Sequence, residues 1–104
     1  MIKREKRRYL ALHVVSEQTL EDFTVFDAVK SAVIRLFGEY GASKASLKQV
    51  NFFPEKNQVI VRCSHLMLEQ VRAAVATIVE INKIPAAVRV LAVSGTLKSL
   101  SKKV

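Results

Sequence analysis

The chain has little of what special sites are made from. In 104 residues it has one cysteine, three glycines, two prolines and no tryptophan. A lone cysteine, Cys63, cannot close an internal disulfide, which suits a reducing, cytoplasmic setting. Three glycines are too few for a glycine-rich phosphate cradle, and neither a P-loop nor G-x-G-x-x-G is present. The two histidines, His13 and His65, have no Cys or His partner at metal-ligand spacing, so they read as structural. Carboxylates are scarce, 9 against 17 Lys and Arg. Their one cluster, Glu21, Asp22 and Asp27, is explained by a solvated helix start. No apolar run approaches the ~18 residues that span a bilayer.

What the chain does have is positive charge at its ends. Lys3, Arg4, Lys6, Arg7 and Arg8 against Glu5 give residues 1–8 a net +4, and Lys98, Lys102 and Lys103 give residues 98–104 a net +3. The whole chain is +8, so residues 9–97 carry only +1. A nearly neutral body with two cationic ends suits a polyanion such as nucleic acid. The start resembles a secretory leader superficially, with Tyr9–Val15 as a short apolar region. That run contains His13 and ends in Ser16-Glu17-Gln18 without a small-residue cleavage site, so it reads as part of the fold.

Half of the residues are hydrophobic, enough for one domain over 1–104 with its own core. Tyr9–Val15 is apolar on both alternating sets and reads as a buried strand. Thr24 offers a helix N-cap, with Asp27 three residues on. Phe26, Val29, Val33, Leu36, Phe37 and Tyr40 then form one apolar stripe, and Gly41 is the natural terminator. Gly38, inside the last turn, suggests close backbone packing. Ser46–Phe53 and Gln58–Cys63 read as a hairpin around Pro54–Asn57. Ser64 can cap a second helix with a stripe of Met67, Leu68, Val71, Ala74, Val75, Ile78 and Val79, broken between Asn82 and Pro85. Ala87–Val93 is a last strand, and Leu97–Val104 a polar tail with a turn or two of helix.

The expected class is therefore α+β. The order β-α-β-β-α-β is ferredoxin-like, an α/β sandwich of the RNA-recognition-motif type, with a four-stranded antiparallel sheet and a short C-terminal helix. Right-handed crossovers place the first and third strands centrally and the last beside the first. The start of the first strand then lies next to the end of the last, and the basic ends at 1–8 and 98–104 leave at one edge.

Lys and Arg in such a patch contact phosphates and position an RNA without reading its bases. Ser94-Gly95-Thr96, close to Lys98, adds a turn where a glycine permits an unusual backbone and close approach of a phosphate. Base stacking on the sheet is disfavoured, because Gln58–Cys63 has no aromatic. One of Phe52 and Phe53 faces the core, and its neighbour could stack on a base or anchor an interface. Strands apolar on both faces leave one face for a partner protein or the C-terminal helix. Cys63 reads as buried and inert.

Taken in order, Arg8-Tyr9-Leu10, Phe37-Gly38-Glu39-Tyr40-Gly41, Val59-Ile60-Val61-Arg62-Cys63 and Ser94-Gly95-Thr96-Leu97-Lys98 resemble the Pop-five family of ribonuclease P protein subunits, in a compact, archaeal-looking form. The resemblance implies a subunit that binds ribonuclease P RNA and helps it cut the 5′ leader from precursor tRNA. The RNA would hold the magnesium ions, and the protein no cofactor, metal or catalytic residue. It also implies a TIM-barrel-like partner subunit, and allows a homodimer within a heterotetramer. The RNA-contact positions carried over are Lys3, Arg4, Lys6, Arg7 and Arg8, with Gly95, Thr96 and Lys98; Lys102 and Lys103 join them on charge. A compact cationic patch would replace counterions between packed RNA segments. Two alternatives remain: another ribonucleoprotein or ribosomal component, and a ferredoxin-like regulatory module. An acylphosphatase is disfavoured, because Ser16–Asp22 is acidic and lacks the needed arginine and glycines.

Overall fold

Strand β1 (Arg7–Ser16) is central in the computed structural model, which describes residues 6–18 and 20–103. It is flanked by two antiparallel strands, β3 (Gln58–Ser64) and β5 (Ile84–Ser94). The outer strands are β2 (Lys48–Phe53) and β4 (Glu80–Ile81), and the sheet order is β2-β3-β1-β5-β4. The central pair and the place of the last strand beside the first are as expected. The strand count is not: the sheet has five strands rather than four. The extra strand is two residues long and pairs Glu80 with Pro85 and Ile81 with Ile84. Asn82 and Lys83 both take positive φ, 54° and 65°, as the centre of a tight hairpin turn requires. The stretch that reads as a helix breaker is this turn.

Three helices complete the described residues: α1 (Thr24–Ala45), α2 (Leu68–Ala76) and α3 (Leu97–Ser101). Leu10, Leu12 and Val14 of β1 join Val59, Val61, Val88 and the apolar sides of α1 and α2 in one core. On the other face Ala11, Ile60 and Leu100 form a second, smaller cluster with Tyr9, Val50, Phe53 and Ala92 around it. The C-terminal helix thus covers part of that face through one side chain, Leu100, which is fully buried. No helix among the described residues is long and apolar enough to cross a membrane.

Helix α1 departs from the expected pattern in three ways. Its N-cap is Phe23, in the left-handed region at φ 66°, and no side chain caps it. The backbone supplies the bonds instead: Asp27 N–H donates to Phe23 O and Thr24 N–H to Glu21 O. Its buried side is Val25, Val29, Ala32 and Val33, whereas Leu36, Phe37 and Tyr40 are exposed. Finally, the glycine roles are exchanged. Gly41 does not end the helix, which runs to Ala45; it is buried, and a methyl group there would lie 2.7 Å from Phe37 Cβ. Gly38 interrupts the helix at φ 75°, ψ 174° with open space beside it. That region of φ/ψ is essentially glycine-only. Of the expected stripe, Val29 and Val33 are in the core and Phe26 packs against it, while Leu36 and Phe37 before the interruption and Tyr40 after it are exposed.

Gly38→Ala should therefore cost on the order of 1–3 kcal/mol, although no contact is lost. Urea unfolding measures this, and an unchanged midpoint would refute the glycine requirement.

Candidate nucleic-acid interface

Antiparallel pairing of β1 with β5 places Tyr9 opposite Ser94. The strand start and the Ser94–Thr96 turn therefore meet at one end of the sheet. Arg8 Nη1 lies 3.6 Å from where a Gly95 Cβ would be. The turn is built by side chains: Ser94 Oγ accepts from Thr96 N–H, and Thr96 Oγ1 accepts from Ser99 N–H to cap α3. Gly95 does not adopt positive φ, so the unusual backbone expected there is absent. Two short polar caps already satisfy the chain reversal.

Around this junction stand Lys6, Arg7, Arg8, Lys98, Lys102 and Lys103. Lys3 and Arg4 lie outside the described residues. Lys6, Arg7 and Arg8 do not form a free tail. Arg7 and Arg8 are strand residues, and Lys6 O accepts both the His65 backbone N–H (2.9 Å) and His65 Nδ1–H (3.0 Å). His65 is thereby a structural clamp on the strand start. Lys98 and Lys102 are exposed, and Lys103 Nζ donates to Val93 O at 2.9 Å, folding back on the last strand.

Strand alternation divides the two arginines. Arg8 pairs with Cys63 on the helix side of the sheet, and Arg7 shares the opposite face with Tyr9. Tyr9 pairs with Arg62, which pairs with Lys48, so Lys48 and Arg62 extend the positive surface across β3 and β2. Sequence reasoning missed both. The signal was Arg62 between apolar neighbours in β3, a residue that alternation sends to the face opposite Val61. The two aromatics are resolved as well: Phe52 packs on the main core, while Phe53 joins the cluster under α3 with Lys56 Nζ 5.7 Å from its ring centre.

The acidic residues do not gather into a site. Asp22 accepts from Gln49 Nε2 at 2.6 Å. Among the described residues no group of three or more His, Cys, Asp or Glu side chains could hold a metal ion.

A match to the model of the Rpp14/Pop5 family spans residues 8–104. The chain belongs to the Rpp14/Pop5 family. Two proteins similar to it are named ribonuclease P protein component 2. One, from Methanosarcina mazei, is 34% identical over 96% of this chain and 84% of its own length. The other, from Pyrococcus furiosus, is 33% identical over 96% of this chain and 83% of its own. In fold, this Rpp14/Pop5 chain is similar to one in the yeast ribonuclease MRP structure, with a TM-score of 0.70 at 15% identity, covering 93% of this chain and 79% of that one.

Cys63 lies beneath this surface, 1% exposed. Burial pushes its thiol up to about 11, and the Arg8 guanidinium opposes the shift. The folded thiol keeps its proton at pH values where the unfolded one ionises. The stability that Cys63 contributes is therefore complete below about pH 9 and is lost as pH rises toward 11. Cys63→Ala should flatten the alkaline loss of stability across that window, read from urea midpoints; identical pH profiles would exclude it.

Proposed function

We propose that this protein is a protein subunit of ribonuclease P that binds the catalytic RNA and helps it remove the 5′ leader from precursor tRNA. The observation that carries the proposal is the family match over residues 8–104, with relatives of that name at about a third identity over nearly the whole chain. The cationic junction of β1, β5 and α3 supports it, since a polyanion is its natural ligand. The strand order, with the added hairpin at β4, supports a ferredoxin-like reading of the sandwich.

The subunit acts by electrostatics rather than by chemistry of its own. RNA segments that pack closely repel each other, and a fixed cationic surface replaces part of their counterion atmosphere. The active RNA fold is then populated with less magnesium. The magnesium ions belong to the RNA, and the protein supplies no general base. Partners are the RNA and precursor tRNA, and a TIM-barrel-like subunit, with a homodimer inside a heterotetramer as the larger assembly. Exposed apolar side chains on the helix side support protein docking: Tyr40 is 75% and Leu66 69% exposed, and Leu36 and Phe37 are exposed too. A single buried thiol suits a cytoplasmic location.

Two outcomes test this. Neutralising Arg7 with Arg8, or Lys98 with Lys102, should weaken binding to ribonuclease P RNA. Each lost phosphate contact should flatten the log–log salt slope by roughly 0.7–0.9. Unchanged affinity and slope in both double variants would remove the junction from the interface.

The protein alone should not cleave precursor tRNA. Added to cognate RNA with the partner subunit, it should shift the rate-against-magnesium curve to lower concentration. Alanine at Asp27 should leave the rate at saturating magnesium unchanged. A folded, RNA-binding D27A variant without the chemical step would assign catalysis to the protein.

A further inference from the structure

The open face of the sheet carries a second arrangement that the basic junction does not use. Register alone defines it. Phe53 of β2 pairs with Gln58 of β3, Gln58 with His13 of β1, and His13 with Arg89 of β5. These four residues form one row across four strands, on the face opposite Leu12 and Val59. Arg89 is exposed, and Phe53, Gln58 and His13 are partly exposed. At the usual strand spacing the row is on the order of 14 Å wide, comparable with four-stranded platforms on which two or three bases are stacked. Leu100 of α3 covers the row above it, at Ala11 and Ile60. The platform is therefore separated from the basic junction by the C-terminal helix.

Cations dominate this face. Its outward strand positions include Arg7, Lys48, Arg62 and Arg89, and the one carboxylate among the described strand residues that share it is Glu80, at the far edge opposite Pro85. Lys56 Nζ lies 5.7 Å from the centre of the Phe53 ring. The lysine covers that ring face, and a base that takes its place on Phe53 would displace the ammonium to the base's own phosphate.

We infer that the Phe53–Gln58–His13–Arg89 row is a platform for a short single-stranded RNA segment. Phe53 and His13 provide stacking surfaces, Gln58 an amide for a base edge, and Arg89 and Lys56 phosphate contacts. This rests on the reading of the protein as an RNA-binding subunit and adds a second, base-contacting surface to it. Stacking is disfavoured inside β3, which has no aromatic, and the outward phenylalanine of the hairpin is the candidate that register places in this row. The aromatic stands on the neighbouring strand instead.

The test uses the full-length protein and two probes of equal length, a fluorescein-labelled oligouridylate and a labelled RNA hairpin, followed by anisotropy at several salt concentrations. Phe53→Leu, which keeps apolar contact with Leu100, should weaken oligouridylate binding about five-fold or more and leave hairpin binding within two-fold. Arg89→Gln, at an exposed position, should weaken it too and flatten the salt slope by roughly 0.7. Arg7→Gln with Arg8→Gln should weaken both probes. Photocrosslinking of 4-thiouridine RNA to the unaltered protein should label His13, Phe53 or Arg89 or the residues beside them, a readout that needs no variant to fold. Wild-type affinity in both F53L and R89Q, or crosslinks confined to α3 and the strand start, would overturn the platform while leaving the RNA-binding reading intact. No binding of either probe by the unaltered protein would overturn both. Competition by polyglutamate as strong as by RNA of equal charge would assign the face to an acidic protein and overturn the platform.

Discussion

The structure depends on β1 being hydrogen-bonded along both sides and buried on both faces. Its two ladders, to β3 and β5, join the halves of the chain. Leu10, Leu12 and Val14 hold the helices on one side, and Ala11 seats Leu100 on the other. Every functional placement follows from this strand. Its start is next to the end of β5, so cations far apart in the chain meet. Its alternation decides which arginine faces which side. Its middle residue His13 anchors a row four strands wide.

Because alternation has a period of two, the basic surface is not a formless tail. Arg8 is held on the helix side, near Gly95 and above the buried Cys63 thiol. Arg7 is on the open face with Arg62 and Lys48. A cationic surface of this kind has fixed spacing, so it can favour one arrangement of phosphates over another. A disordered basic end screens without choosing. The clamp from His65 to Lys6 O and the fold-back of Lys103 onto Val93 O serve the same end, since both tie charged residues to the sheet by side-chain bonds to backbone carbonyls.

The helix layer is organised differently. Leu36, Phe37 and Tyr40 are exposed around the Gly38 interruption, and these with Leu66 give the helix side an apolar surface of its own. The two sides thus differ: the sheet side carries Arg7, Arg62, Lys48 and Arg89 with partly exposed rings, and the helix side carries the exposed apolar group of Leu36, Phe37, Tyr40 and Leu66.

Much of this was legible in the residues. Strand β1 was, because six apolar or β-forming residues among the seven of Tyr9–Val15 leave few alternatives. The sandwich order followed from hydrophobic periodicity and turn residues, and the meeting of the charged ends followed from the order, since crossover handedness leaves one arrangement. The functional family was legible in short motifs along the chain. Other features were decided only in three dimensions. The fifth strand was hidden because two residues carry no periodicity. The glycine roles were exchanged because conformation at Gly38 and crowding at Gly41 depend on where the helix goes next. Arg62, Lys48 and the Phe53 row were invisible because cross-strand neighbours are set by register, and register is a property of strands packed together, which no single segment contains.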